Sequence, residues 1–206
     1  MKSGSEFQKR IVASVESSIS VKRKITENAE LIETIAQVAE ELIRAYRGGS
    51  KMLLFGNGGS AADAQHIAAE FVGRFAFDRP ALPALALSVN SSCVTAIGND
   101  YGYDLVFARQ LEALARPGDV AIGFSTSGNS PNVLRGVEKA KSLGLITVGL
   151  TSETGGALRT AVDYCLCAPS KETPRIQECH ILMGHIISEI VEEAIFPKEA
   201  EARRKG

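Results

Sequence analysis

The chain has 206 residues, 45% of them hydrophobic, which fills one core with helix to spare and leaves no room for a second large domain. Lys and Arg number 23 against 24 Asp and Glu, so the net charge of −1 supplies no basic field to gather nucleic acid or an anionic membrane. Neither is expected as a partner, and an anionic ligand must be held by local groups.

Residues 1–11 mix charges without an apolar stretch and do not read as a secretory signal. No apolar run approaches the ~20 residues that span a bilayer, so the expected location is the cytosol. Residues 7–46 carry helical spacing, loosened near residues 26–28, and Gly48 and Gly49 close the segment. Two long helices are therefore expected ahead of the core, with residues 1–48 acting as helical arms of the same domain.

From Lys51 the pattern changes to short apolar runs, residues 52–55, 85–89, 120–124, 146–150 and 164–168, separated by helical stretches. Buried parallel strands with crossover helices produce that alternation. Thr173 suits an N-cap and Pro174 a first helical position, so a helix is predicted from Thr173 to residue 196. Ile176, Cys179, Met183, Ile187, Ile190, Val191 and Ala194 form its apolar stripe, and Pro197 stops it. The main domain is read as residues 49–197 and the charged tail, 198–206, as disordered. The fold class is α/β, an open sandwich of about five parallel strands.

The run 52–55 leads into Gly56-Asn57-Gly58-Gly59-Ser60 and then a helix, which puts a glycine turn at the carboxyl end of a strand, where open α/β sheets bind ligands. Gly56, Gly58 and Ala61 also fit a dinucleotide fingerprint, but such a site needs an acidic residue at the end of the second strand. Asn90, Ser91 and Ser92 stand there instead, which argues against a nicotinamide cofactor. After the run 120–124 comes Ser125-Thr126-Ser127-Gly128-Asn129-Ser130, with Pro131 opening a helix. Hydroxyls and free backbone N–H groups at a helix start suit a phosphate. A surface loop whose serines merely cap a helix has the same composition; position decides, because both loops leave one edge of a parallel sheet.

All three histidines lie on helical stretches beside a carboxylate or amide. His66 and Glu70, four apart, share a helix face and can reach one ion or one substrate atom. Gln177, His180 and His185 lie on the terminal helix, and at 100° per residue His180 falls about 60° to one side of Gln177 and His185 about 80° to the other. Spacing does not choose between them. Cys93, Cys165, Cys167 and Cys179 have no zinc-knuckle or disulfide spacing and read as ordinary small apolar side chains.

Together the glycine turn, the His66 and Glu70 pair, Gly98-Asn99-Asp100, the serine loop, and Arg175-Ile176-Gln177-Glu178 followed by His185 resemble the SIS family of sugar-phosphate isomerases and binding domains. The resemblance covers nearly the whole chain. It implies a SIS-type three-layer sandwich and an aldose–ketose isomerase for a phosphorylated seven-carbon sugar. It further implies a homotetramer with active sites between subunits, held in part by the N-terminal helices.

Carried over residue by residue, Ser125, Thr126, Ser127 and Ser130 would hold the phosphate, and Asn57, Gly58, Gly59, Ser60, Glu70, Asn99, Asp100 and Gln177 would meet the substrate. His66, Glu70, Gln177 and His185 would bind one zinc ion per subunit, with Glu70 and His185 as the catalytic pair. Some relatives carry Asp where this chain has Pro174, so no catalytic role is assigned there. The alternative is a non-enzymatic SIS protein that binds a sugar phosphate or associates with a replication initiator; it would have no need of Glu70 and His185.

Overall fold

The computed structural model of the chain describes residues 3–205. Its strands are β1 (Met52–Gly56), β2 (Ala84–Ala86), β3 (Val120–Phe124), β4 (Ile146–Ser152) and β5 (Tyr164–Ala168), all parallel, in the order β2-β1-β3-β4-β5. β1 and β3 are buried along their whole length, as strands covered on both faces must be.

The helices are α1 (Ser3–Thr26), α2 (Ala29–Arg47), α3 (Gly59–Val72), α4 (Ser91–Tyr101), α5 (Val106–Leu114), α6 (Pro131–Ser142), α7 (Leu158–Ala161), α8 (Thr173–Ile195) and α9 (Pro197–Lys205). Alternation along each strand sorts the core in two. Met52, Leu54, Ile122, Phe124 and Leu150 face α1, α2, α3 and α8. Leu53, Phe55 and Ala121 face α5, α6 and α7 on the other side. The result is a three-layer α/β sandwich, as expected.

Asn28 accepts from Leu31 N at 3.0 Å, caps α2 and marks the break between the first two helices. The second half of α1 packs into the same core as α2, through Val21 and Ile25, while Phe7, Ile11, Val12 and Val15 on its first half are more than half exposed. No helix among the described residues is long and apolar enough to cross a membrane.

Four local expectations change. The second strand is shorter than the run 85–89, because the chain turns at Leu87 and Asn90 caps α4 by accepting from Cys93 N at 3.1 Å. Thr173 is the first residue of α8, and Glu172 occupies the cap position without a side-chain bond. The tail read as disordered is helical over Pro197–Lys205, with Ala200 buried and Arg204 paired to Glu193; Glu, Ala, Lys and Arg are strong helix formers, and proline starts a helix as readily as it stops one. Gly206 lies outside the described residues. Cys179 is buried, but Cys165 and Cys167 are half-buried on one face of the edge strand β5, with sulfurs 3.7 Å apart.

Candidate active site

Register fixes the site. Gly56, the last residue of β1, stands opposite Phe124, the last of β3, and Phe124 opposite Leu150 of β4. The glycine turn and the serine loop therefore leave the sheet side by side at its carboxyl edge. Gly58 has φ +56, a conformation side chains disfavour, and α3 begins directly after it. Asn57 Nδ2 donates to Asn132 Oδ1 and Asn132 Nδ2 donates to Asn57 Oδ1, both at 2.8 Å, so the turn is tied to the first turn of α6. The Tyr103 hydroxyl also donates to Asn57 Oδ1, at 3.3 Å.

The serine loop is closed by its own hydroxyls. Ser125 Oγ lies 3.0 Å from Ser130 Oγ and 3.4 Å from Ser127 Oγ, and Ser127 Oγ accepts from Asn129 N at 3.1 Å. Ser125 is buried, Thr126 and Ser130 are half-buried, and Ser127 is exposed. Gly128, at φ +67, lies so close to Gly155 that a Cβ there would collide with the Gly155 carbonyl. The loop thus rests on the turn after β4. Leu158 N donates to Gly128 O and Ala157 N to Asn129 Oδ1, both at 2.9 Å.

The helices α3 and α8 cross at Gly184, where a Cβ would meet Ile67 Cδ1 at 2.5 Å. That approach brings the neighbouring residues, His66 and His185, together with their rings tilted at 56° and their Nε2 atoms 2.8 Å apart. Glu70 Oε1 lies 3.2 Å from His66 Nε2. At this crossing His185 joins His66 and Glu70, a placement that spacing left open, while His180 is fully buried. Two imidazole nitrogens at 2.8 Å can hold only one proton between them, or else both turn lone pairs to a cation. Among the described residues, His66, Glu70 and His185 form a cluster whose ligand atoms lie within 4.8 Å of one another, a donor set that suits zinc. Gln177, one face away, lies against Gly59 so tightly that a Cβ on Gly59 would collide with its amide.

Asn99 and Asp100 sit exposed on the last turn of α4, bonded to one another at 2.8 Å. The described bond from this segment to the glycine turn comes instead from Tyr103. Arg175 and Glu178 of the α8 motif serve packing: Arg175 Nη1 donates to Ser14 O and Nη2 to Glu178 Oε1, both at 2.5 Å, and Ser18 donates to Glu178 at 2.6 Å, joining α1 to α8.

Three features of the site were not visible in the sequence. Asn132 is one. Asp63, on α3 near His66, is another: its Oδ2 is buried without a partner among the described residues, and burial pushes its carboxyl up to about 6, opposed by the charge of His66. The third is a buried ion pair under α3, in which Glu192 accepts from Arg79 Nε at 2.9 Å and from Phe75 N and Ala76 N at 2.8 Å, while Arg79 Nη2 donates to Glu70 O at 2.8 Å. An Asp three residues before a His on a helix is a faint signal, and the other two pairs join residues 75 and 113 positions apart.

A model of the SIS domain matches residues 16–152. Phosphoheptose isomerase of Aneurinibacillus thermoaerophilus is 58% identical over 90% of this chain and 94% of its own. Among solved structures, phosphoheptose isomerase from Neisseria gonorrhoeae superposes with a TM-score of 0.85 at 41% identity, covering 91% of this chain and 99% of that one. The enzyme from Francisella tularensis gives 0.86 at 38% identity, covering 90% and 98%.

Proposed function

This chain belongs to the SIS-domain family and is an aldose–ketose isomerase of sugar phosphates, and from that premise we propose that it converts D-sedoheptulose 7-phosphate to D-glycero-D-manno-heptose 7-phosphate, the entry step of heptose biosynthesis. The observation that supports this most is the meeting of His66, Glu70 and His185 on α3 and α8, helices that begin at the sheet edge bearing the serine loop.

The serine loop holds the phosphate through Ser125, Thr126, Ser127 and Ser130, helped by the N-terminal end of α6. Asn57, Gly58, Gly59, Ser60, Asn99, Asp100 and Gln177 surround the sugar. Glu70 takes a proton from C1 of the ketose, giving an enediol, and returns it to C2. His185 gives a proton to the carbonyl oxygen at C2 and takes one from the hydroxyl at C1, so protons balance over the cycle. His66, Glu70, Gln177 and His185 would hold a zinc ion, which would supply Lewis-acid polarisation of the carbonyl oxygen.

Assembly is a tetramer in the cytoplasm, with sites completed between subunits. Phe7, Ile11, Val15 and Ile19, spaced by four along the exposed face of α1, favour such a partner. Incubating the purified chain with sedoheptulose 7-phosphate tests the reaction: NMR should show an aldoheptose phosphate accumulating, and no conversion would refute it.

A further inference from the structure

His180 is fully buried, yet the reaction gives it nothing to do. Its Nε2 lies 3.0 Å from the Thr151 carbonyl oxygen. A carbonyl only accepts, so Nε2 carries a proton, and full burial with no acceptor for Nδ1 keeps the ring in that neutral tautomer. Nδ1 is then left buried without a partner among the described residues, a cost that leucine in the same volume would avoid. The position therefore keeps a donor for a purpose that packing does not supply.

What that donor touches leads to the phosphate loop by two routes. Thr151 ends the core of β4, and its Oγ1 donates to the Gly155 carbonyl at 3.3 Å, the group on which Gly128 sits. The His180 ring also stands edge-on to Phe124, 6.0 Å between centroids, and Phe124 directly precedes Ser125. We infer that His180 is a positioning residue for the serine loop, fixing through Thr151 and Phe124 the two strand ends from which that loop and its support depart. The inference rests on the reading that the serine loop holds phosphate.

The test measures inorganic phosphate binding to the full chain by calorimetry, sugar-phosphate kinetics, and melting temperature. His180→Leu, folded by its melt, should raise phosphate Kd and substrate KM by about tenfold with kcat within about threefold, and His180→Gln, which keeps a donor, should recover most of the loss. Thr151→Val should weaken phosphate in the same direction. A folded His180→Leu with wild-type phosphate Kd would overturn the inference, even if its melting temperature fell. If that variant fails to fold, Thr151→Val decides, and an unchanged Kd in it overturns the inference likewise. The Ser127→Ala, Ser130→Ala double variant separates the two readings. Wild-type phosphate binding there refutes the phosphate loop and the inference together, whereas loss there with normal binding in His180→Leu refutes the inference alone.

Discussion

Asn57 and Asn132 exchange two amide hydrogen bonds of 2.8 Å each, so the glycine turn and the helix that follows the serine loop are held as one unit. Asn132 is buried, and its side-chain amide bonds to Asn57 through both its oxygen and its nitrogen. Asn132→Ala should lower stability by about 1–3 kcal/mol, the cost of stranding polar groups. It should also raise KM more than it lowers kcat, because Asn57 loses its fixed orientation. Thermal denaturation with steady-state kinetics measures both, and an unchanged KM would free Asn57 from any part in binding.

The exposed stripe on α1 is an apolar face without a partner in a single chain. Light scattering should return about four times the 21.9 kDa chain mass. Ile11→Glu with Val15→Glu should shift that mass downward and reduce activity with it, if sites are completed between subunits. A fully active monomer would contradict the shared site.

Much of this was legible in the residues because the signals are local. β3 and β5 were bounded correctly since each is an unbroken apolar run, and the break between α1 and α2 was marked by Asn28. The apolar run 85–89 outlasts its strand because the chain turns at Leu87, whose side chain is buried just beyond β2. The charged tail forms a helix because its Glu, Ala, Lys and Arg residues favour one, a propensity that net charge alone conceals. The choice between His180 and His185 lay beyond helical spacing, since it depends on Gly184 meeting Ile67 across two helices. Asn132 and the Arg79–Glu192 pair matter through partners distant in sequence, which no local pattern records.

Burial pushes His180 down to about 4 from an ordinary 6.5, although its bond to Thr151 opposes this. The unfolded chain therefore takes up a proton below pH 6.5 that the folded chain refuses until about pH 4. This contribution to stability is present above pH 6.5 and is lost as pH falls through that window, by about 3 kcal/mol in total. Urea denaturation from pH 7 to pH 4 should show the loss, and His180→Gln should flatten it. Identical pH slopes in the two proteins would mean that His180 is not buried neutral.

The short His66 to His185 distance, with Glu70 beside it, motivates a metal prediction. Protein purified without chelator should carry up to one zinc per chain by elemental analysis. His66→Ala should lower that content while leaving the chain folded. Metal-free protein with full activity in chelator would leave these residues with proton transfer alone.

The most direct test of the account is turnover of sedoheptulose 7-phosphate in D2O by wild type, Glu70→Gln and His185→Ala, followed by NMR alongside melting curves. The enediol route predicts deuterium at C2 of the aldose made by wild type in every turnover in which the proton held by Glu70 exchanges with D2O before it is returned. Each variant should fall by roughly 10²–10⁴-fold in kcat at a melting temperature that shows it folded. A folded Glu70→Gln that turns over at the wild-type rate would contradict the account.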